Sequence, residues 1–332
     1  MKRVLFVIVI AIGLSSCEKL LFEPDLASND PLENFDYLWN ELDKKYSYFE
    51  LKSLNWIEIK NTYRSQLTEN STEEELFSVM AAMMNELRDD HSNLISPFNI
   101  SVYNVALRGP ENYHPRTIEE FYLTDKWITG SLQHGFLENN EIGYIRYGSF
   151  EDGLSEDQLD FVITRYKDTK GLILDLRANG GGNIDNITVL LERFVPTQLL
   201  VGYSVTRNGP NHGDFSEKQN FTVKPFDGVR YTKPIMVLTD RGSYSATTFF
   251  AVATKAIPNI TLVGDTTGGG GGLPNGGMLP NGWNYRFSVS QTLDVNGNNY
   301  AELGVPPDIL VYFDWTDLTK DEVLERAILE LQ

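Results

Sequence analysis

Residues 235–272 read IMVLTDRGSYSATTFFAVATKAIPNITLVGDTTGGGGG. Ile235 to Leu238 is an unbroken apolar run of strand length, and Asp240 to Ser243 is turn chemistry. The residues after Ser245 continue as a helix, and Ile260 to Val263 form a second apolar run that ends in a polyglycine loop. Strand, turn, helix and strand in that order make a βαβ unit with a parallel sheet. The same alternation extends outward. Upstream lie a strand over 142–147, a helix over 156–166, a buried strand over 172–176, a glycine turn, a helix near 184–194 and a strand over 199–206. A polar excursion fills 207–230. Downstream, a hairpin with arms at 285–290 and 300–302 around Asn296-Gly297 is expected, then a strand over 309–313 and an amphipathic helix over 321–331. The fold class that follows is α/β with a mixed sheet.

The N-terminal third has a different period. Phe35, Leu38, Trp39, Leu42 and Tyr46 share one helical face, Trp56, Ile59, Tyr63 and Leu67 a second, and Leu76, Val79, Met80, Met83 and Leu87 a third. Thr72 with Glu75 three residues on is a capping box. These stripes are core-forming and predict a three-helix bundle. The third helix runs into Arg88-Asp89-Asp90-His91-Ser92, and residues 93–140 are weakly patterned, with loops and short strands expected.

Met1-Lys2-Arg3 is a basic start, and the apolar run over 4–14 is too short to span a bilayer. Leu14-Ser15-Ser16-Cys17 resembles a bacterial lipobox, in which Cys17 is acylated and becomes the mature N-terminus. The expected organisation is a lipoprotein signal peptide over 1–16, a tether over 17–31, a helical bundle over 32–98 and an α/β core over 99–332. The chain is then held in the bacterial cell envelope by lipid alone, facing the periplasm or the surface. Among 332 residues there is one cysteine, so no intrachain disulfide forms, and the net charge of -18 argues against a nucleic-acid partner. No histidine–acid cluster has metal-ligand spacing, and no cofactor is expected.

Ser245 stands where a helix begins, beside unpaired N–H groups that favour negative charge. An N-cap is the ordinary role of a serine there, and a nucleophile is the alternative. Ser243 is a rival one step earlier in the turn. The glycines of Asn179-Gly180-Gly181-Gly182 serve a tight βα turn or an approach of backbone to ligand, and no nucleotide-phosphate motif contains them. A nucleophilic serine needs a base. Lys255 lies about 15 Å along the helix and cannot reach back, and Lys320 is in a distant terminal segment. His114, His134 and His212 lie in polar, irregular stretches and read as surface residues. His91 follows an amphipathic helix among acids that favour its charged form, as a capping residue or as a base.

Taken together these segments resemble peptidase family S41, which includes the C-terminal processing peptidases, the tricorn protease core and the repeats of interphotoreceptor retinoid-binding protein. GLILDLRANGGG at 171–182, SATTFFA at 245–251, VGDTTG at 263–268 and ELGVPPDI at 302–309 match that family's segments in order. The resemblance implies a ClpP/crotonase-like mixed-sheet core and makes Ser245 the nucleophile, with Gly181 and Ala246 N–H groups as its oxyanion hole. Processing peptidases carry a lysine in the glycine loop; here that loop is glycine from 268 to 272. The tricorn-like branch uses a His and a Glu at places occupied by His91 and Glu302, and Asp90 stands where a residue orients the imidazole. Thr248 replaces an acid of the family's segment. About fifty residues separate His91 from Ile142, too few for a PDZ module. The activity implied is serine endopeptidase action on peptides or unfolded proteins. The alternatives are a non-catalytic relative that binds a peptide or hydrophobic ligand in the same cleft, and a structural lipoprotein of an envelope complex.

Overall fold

The computed structural model describes residues 27–332, so Cys17 and the signal-peptide reading lie outside the described residues. Asp30 caps the first helix, α1 (Pro31–Lys45), by accepting from the Leu32 and Glu33 N–H groups. Then come α2 (Trp56–Arg64) and α3 (Glu73–Asn85), the last opened by the Thr72/Glu75 capping box. After a short β1 (Asn93–Ile95) the chain enters the main layer through β2 (Trp127–Thr129), β3 (Leu132–Leu137) and β4 (Ile142–Tyr147). It continues with α4 (Glu156–Tyr166), β5 (Gly171–Asp175), α5 (Asp185–Leu191), β6 (Leu199–Thr206), β7 (Gln219–Val223) and β8 (Ile235–Thr239). The last third holds α6 (Ala246–Thr254), β9 (Ile260–Gly264), β10 (Pro274–Met278), β11 (Asn284–Ser288), β12 (Ser290–Leu293), β13 (Ile309–Leu310) and α7 (Glu322–Leu331).

The main sheet has seven strands in the order β13-β9-β8-β5-β4-β3-β2, parallel from β13 to β4 and antiparallel beyond. Successive side chains of β5 and β8 go to opposite faces. Leu172, Leu174, Ile235 and Val237 join α4, α5 and α6 in one core, whereas Ile173, Met236 and Leu238 join α7 in another. Both faces are covered, which is why these strands read as continuous apolar runs. All nine residues of α6 are buried, because the helix packs between β9 of this sheet and a second sheet, β12-β6-β7.

Two expectations are corrected, the hairpin and the surface placement of His134. The three N-terminal helices pack on one another. They lie on a third sheet, β1-β11-β10, two strands of which come from the C-terminal part of the chain, and Leu279, Trp283, Tyr285 and Phe287 complete their core. The hairpin is β10–β11, with its turn between Met278 and Asn284. Asn296-Gly297 instead sits in a turn organised by Asp294, whose carboxylate accepts from the Asn296 and Asn298 N–H groups, and Ala301–Leu303 is a 3₁₀ turn. His134 is not on the surface. It is buried on β3 between Thr129 Oγ1 (2.9 Å) and Tyr166 Oη (2.7 Å), and burial pushes its pKa down to about 4.

Candidate active site

The turn after β8 makes Ser245 conspicuous. Its backbone takes φ +55° and ψ -117°, a region that costs a non-glycine residue about 1–3 kcal/mol. Its hydroxyl makes no cap bond to α6. Instead Ser245 Oγ lies 2.9 Å from His91 Nε2. The geometry therefore separates the two roles open to this serine: the side chain faces away from the helix end and toward an imidazole. Ser243, the rival, is fully buried and donates to the Leu176 carbonyl at 2.8 Å.

The base candidate sits on the turn after α3. Asp89, rather than Asp90, fixes that turn: its Oδ1 accepts from the His91 N–H at 2.8 Å, and its Oδ2 accepts from Ser92 Oγ (3.1 Å) and Ser288 Oγ (2.9 Å). The Asp90 carboxylate accepts from the Val105 N–H at 2.7 Å and makes no hydrogen bond to the imidazole. Tyr244 stacks edge-on against the His91 ring at 5.0 Å, and its hydroxyl reaches Asp89 at 3.3 Å. His91 is 6% exposed. Burial lowers its pKa below the ordinary 6.5, and Arg286 adds to the effect. Asp89, the Gly272 carbonyl and Asp90 oppose it without reversing it. The expectation that neighbouring acids would hold this ring charged is thus overturned by desolvation. At neutral pH the ring is neutral and able to accept a proton.

The two glycine segments close around the nucleophile turn. Gly268 N–H donates to Ser243 O (2.8 Å) and Ser245 N–H donates to Gly269 O (3.0 Å). A Cβ on Gly181 (φ +97°) would fall 2.8 Å from both Ala246 N and Ser245 Cβ, so only glycine fits there. Among the described residues Ala246 N–H has no acceptor and is placed to receive negative charge. The Gly181 N–H departs from expectation, because it donates to Asn179 Oδ1 at 3.0 Å.

Glu302 touches neither Ser245 nor His91 by hydrogen bond. Its Oε2 accepts from the Gly271 N–H at 3.0 Å and its Oε1 from Lys52 Nζ at 2.5 Å. Burial, with Asp89 nearby, pushes this carboxyl up to about 8, against the pull of Lys52 and the Gly271 N–H. Lys52, Asp89, Tyr244 and Ser288 are the members that sequence reasoning missed. The one local signal of Lys52 is a charge beside the aromatics of Tyr46-Ser47-Tyr48-Phe49.

Residues 141–311 match the model of peptidase family S41. The chain belongs to peptidase family S41. Residues 28–85 of this S41 protein also match the tricorn protease C1 domain. It is similar to the carboxy-terminal processing protease CtpB of Bacillus subtilis, 27% identical over 53% of this chain and 35% of that one. Tricorn protease of Thermoplasma volcanium is 27% identical over 57% of this chain and 17% of its own. The S41 chain therefore spans about a third or less of the length of these curated relatives. A crystallised protein of Parabacteroides merdae superposes with a TM-score of 0.88 at 36% identity, covering 92% of this chain and 97% of the other. The match over nearly the whole of both chains fixes the α/β mixed-sheet fold as that of the family.

Proposed function

We propose that this S41 protein is a serine endopeptidase in which Ser245 is the nucleophile and His91 the base. The observation that carries the reading is the 2.9 Å contact between Ser245 Oγ and His91 Nε2, made by a serine held at φ +55°. In the reaction His91 Nε2 takes the hydroxyl proton as Oγ attacks a peptide carbonyl, the oxyanion meets the Ala246 N–H, and the imidazolium returns the proton to the leaving amine. Water, activated by the same ring, then releases the acyl group. Asp89 holds the ring through the backbone of its turn, and Tyr244 packs its edge. A second oxyanion donor would come from Gly181 once its N–H leaves Asn179 Oδ1.

A cavity of about 270 Å³ opens where α6, α5 and the residue after the glycine loop meet, lined by Ile187, Thr188, Tyr203, Phe221, Phe249 and Leu273. Phe249 is one turn on from Ser245. An apolar side chain of a bound peptide fits this space, so peptides or unfolded segments with an apolar residue near the scissile bond are the proposed substrates. A lipid on Cys17 would place the site in the cell envelope.

The test is labelling of the purified chain with a serine-directed fluorophosphonate: wild type labels, Ser245→Ala does not. Absence of labelling in wild type would instead favour a non-catalytic binding protein, a reading for which the engaged Gly181 N–H speaks. Incorporation of a palmitate analogue that Cys17→Ala abolishes tests the anchor.

A further inference from the structure

We propose that Lys52 is a positioning residue that fastens the His91 turn to the loop beside Ser245, and so sets the distance between base and nucleophile. The proposal rests on the Ser245–His91 reading above. His91 and Ser245 come from different bodies of the fold: one follows α3, whose core is shared with β1, β11 and the turn before β11, and the other opens α6 in the core of the main sheet. A hydrogen bond between side chains on two such bodies keeps its length only if something ties their backbones together, and about 1 Å of misplacement can cost on the order of a hundredfold in rate.

Lys52 makes that tie. Its ammonium donates to the carbonyls of Leu87 (2.7 Å) and Arg88 (3.2 Å), which lead directly into Asp89 and His91. Both carbonyls belong to the turn that follows α3 and its C-cap Glu86. The same ammonium donates to Glu302 Oε1, and the other oxygen of that carboxylate takes the Gly271 N–H at 3.0 Å. Two residues back in the same loop, the Gly269 carbonyl accepts from the Ser245 N–H. A continuous path therefore runs from the His91 turn through Lys52, Glu302 and the glycine loop to the nucleophile's own backbone. Tyr46 Oη, at 3.0 Å, adds a fourth oxygen around the ammonium.

The arrangement excludes two other roles. An ammonium has three protons and no lone pair; with four oxygens around it Lys52 is a donor, not a second base. Nor does net stability account for the pair, because the side chains of Lys52 and Glu302 are 2% and 1% exposed and replacing such a buried pair by apolar residues of like volume is often neutral or stabilising. A group retained without that gain and joined to both halves of a site acts on the site.

The full-length chain is labelled with a fluorophosphonate, and both the labelled fraction and the rate constant of labelling are recorded. Lys52→Met is expected to label to full extent, but at least tenfold more slowly than wild type, and Lys52→Arg, which keeps charged donors at the site, is expected to recover part of the rate. In ¹⁵N-histidine spectra the His91 signal, assigned by its loss in His91→Asn, is expected to broaden or split in Lys52→Met. An unchanged rate constant overturns the proposal, and so does a reduced labelled fraction that reacts at the unchanged rate, which is what a purely structural lysine would give. The wild-type and Ser245→Ala arms report separately on the nucleophile. If wild type fails to label, the endopeptidase reading falls, and an unaltered His91 signal in Lys52→Met still overturns the role of Lys52.

Discussion

At the residue scale, the site is defined by how the surroundings of Ser245 and His91 change ordinary side-chain chemistry. His91→Ala should lower kcat by about 10⁶-fold while leaving the fold intact, read by peptide hydrolysis and circular dichroism. Because burial depresses the His91 pKa, the neutral ring is the working form and activity is present above that pKa. The acid limb of the kcat/KM profile should therefore fall below pH 6.5, and an acid limb above 6.5 would contradict the assignment. Asp89 raises the pKa of the ring, so Asp89→Asn should move the limb to still lower pH. Legibility differed among these residues for a physical reason. Ser245 and Glu302 stand in contiguous segments whose local geometry recurs in the family, whereas Lys52 and Asp89 act through backbone groups. Lys52 is used for its reach across 250 positions to Glu302, which no local pattern records. Of the two acids before His91, only the turn's backbone conformation, including Arg88 at φ +51°, decides which one meets its N–H.

At the element scale, the polyglycine loop is a packing necessity rather than a flexible linker. A Cβ on Gly269 (φ +94°) would stand 2.2 Å from the Glu302 carbonyl oxygen. Gly269→Ala should cost at least about 1 kcal/mol of stability and reduce labelling of Ser245, both measurable on one preparation. On β3, His134 is held neutral in the folded chain, its pKa falling from 6.5 in the unfolded state to about 4. A lowered folded-state pKa contributes stability that is complete above pH 6.5 and is lost as pH falls toward 4. His134→Gln should flatten the loss of thermal stability across that window, read by melting temperature at stepped pH. The burial of His134 is not legible because the pattern of β3 is mixed: His134 and Gly135 are both buried in a strand that also carries Gln133 outward, so neither alternation nor an apolar run shows.

At the scale of the molecule, the α/β order of the main sheet was legible because its strands are apolar on both faces. The third sheet was not, because its strands are short, β10 carries two glycines, and β1 pairs with a strand far away in sequence. Under the main sheet, Arg177 is wholly buried and donates to Asp175 and Asp321, joining the end of β5 to the N-cap of α7. Arg177→Met should cost about 3–5 kcal/mol by stranding those carboxylates, seen as a large fall in the denaturation midpoint. The pairing of β1 with β11 has a consequence for how such a chain comes into being. Ser288, at the end of β11, anchors the carboxylate that holds the His91 turn, and Leu279 to Phe287 complete the core beneath the helices. During synthesis the helices emerge long before these residues do, and so does Ser245. Until the strand pair closes, the base has no floor to stand on. On the proposed reading, a nascent chain carries Ser245 and His91 without the means to bring them together until residues 279–288 have been made.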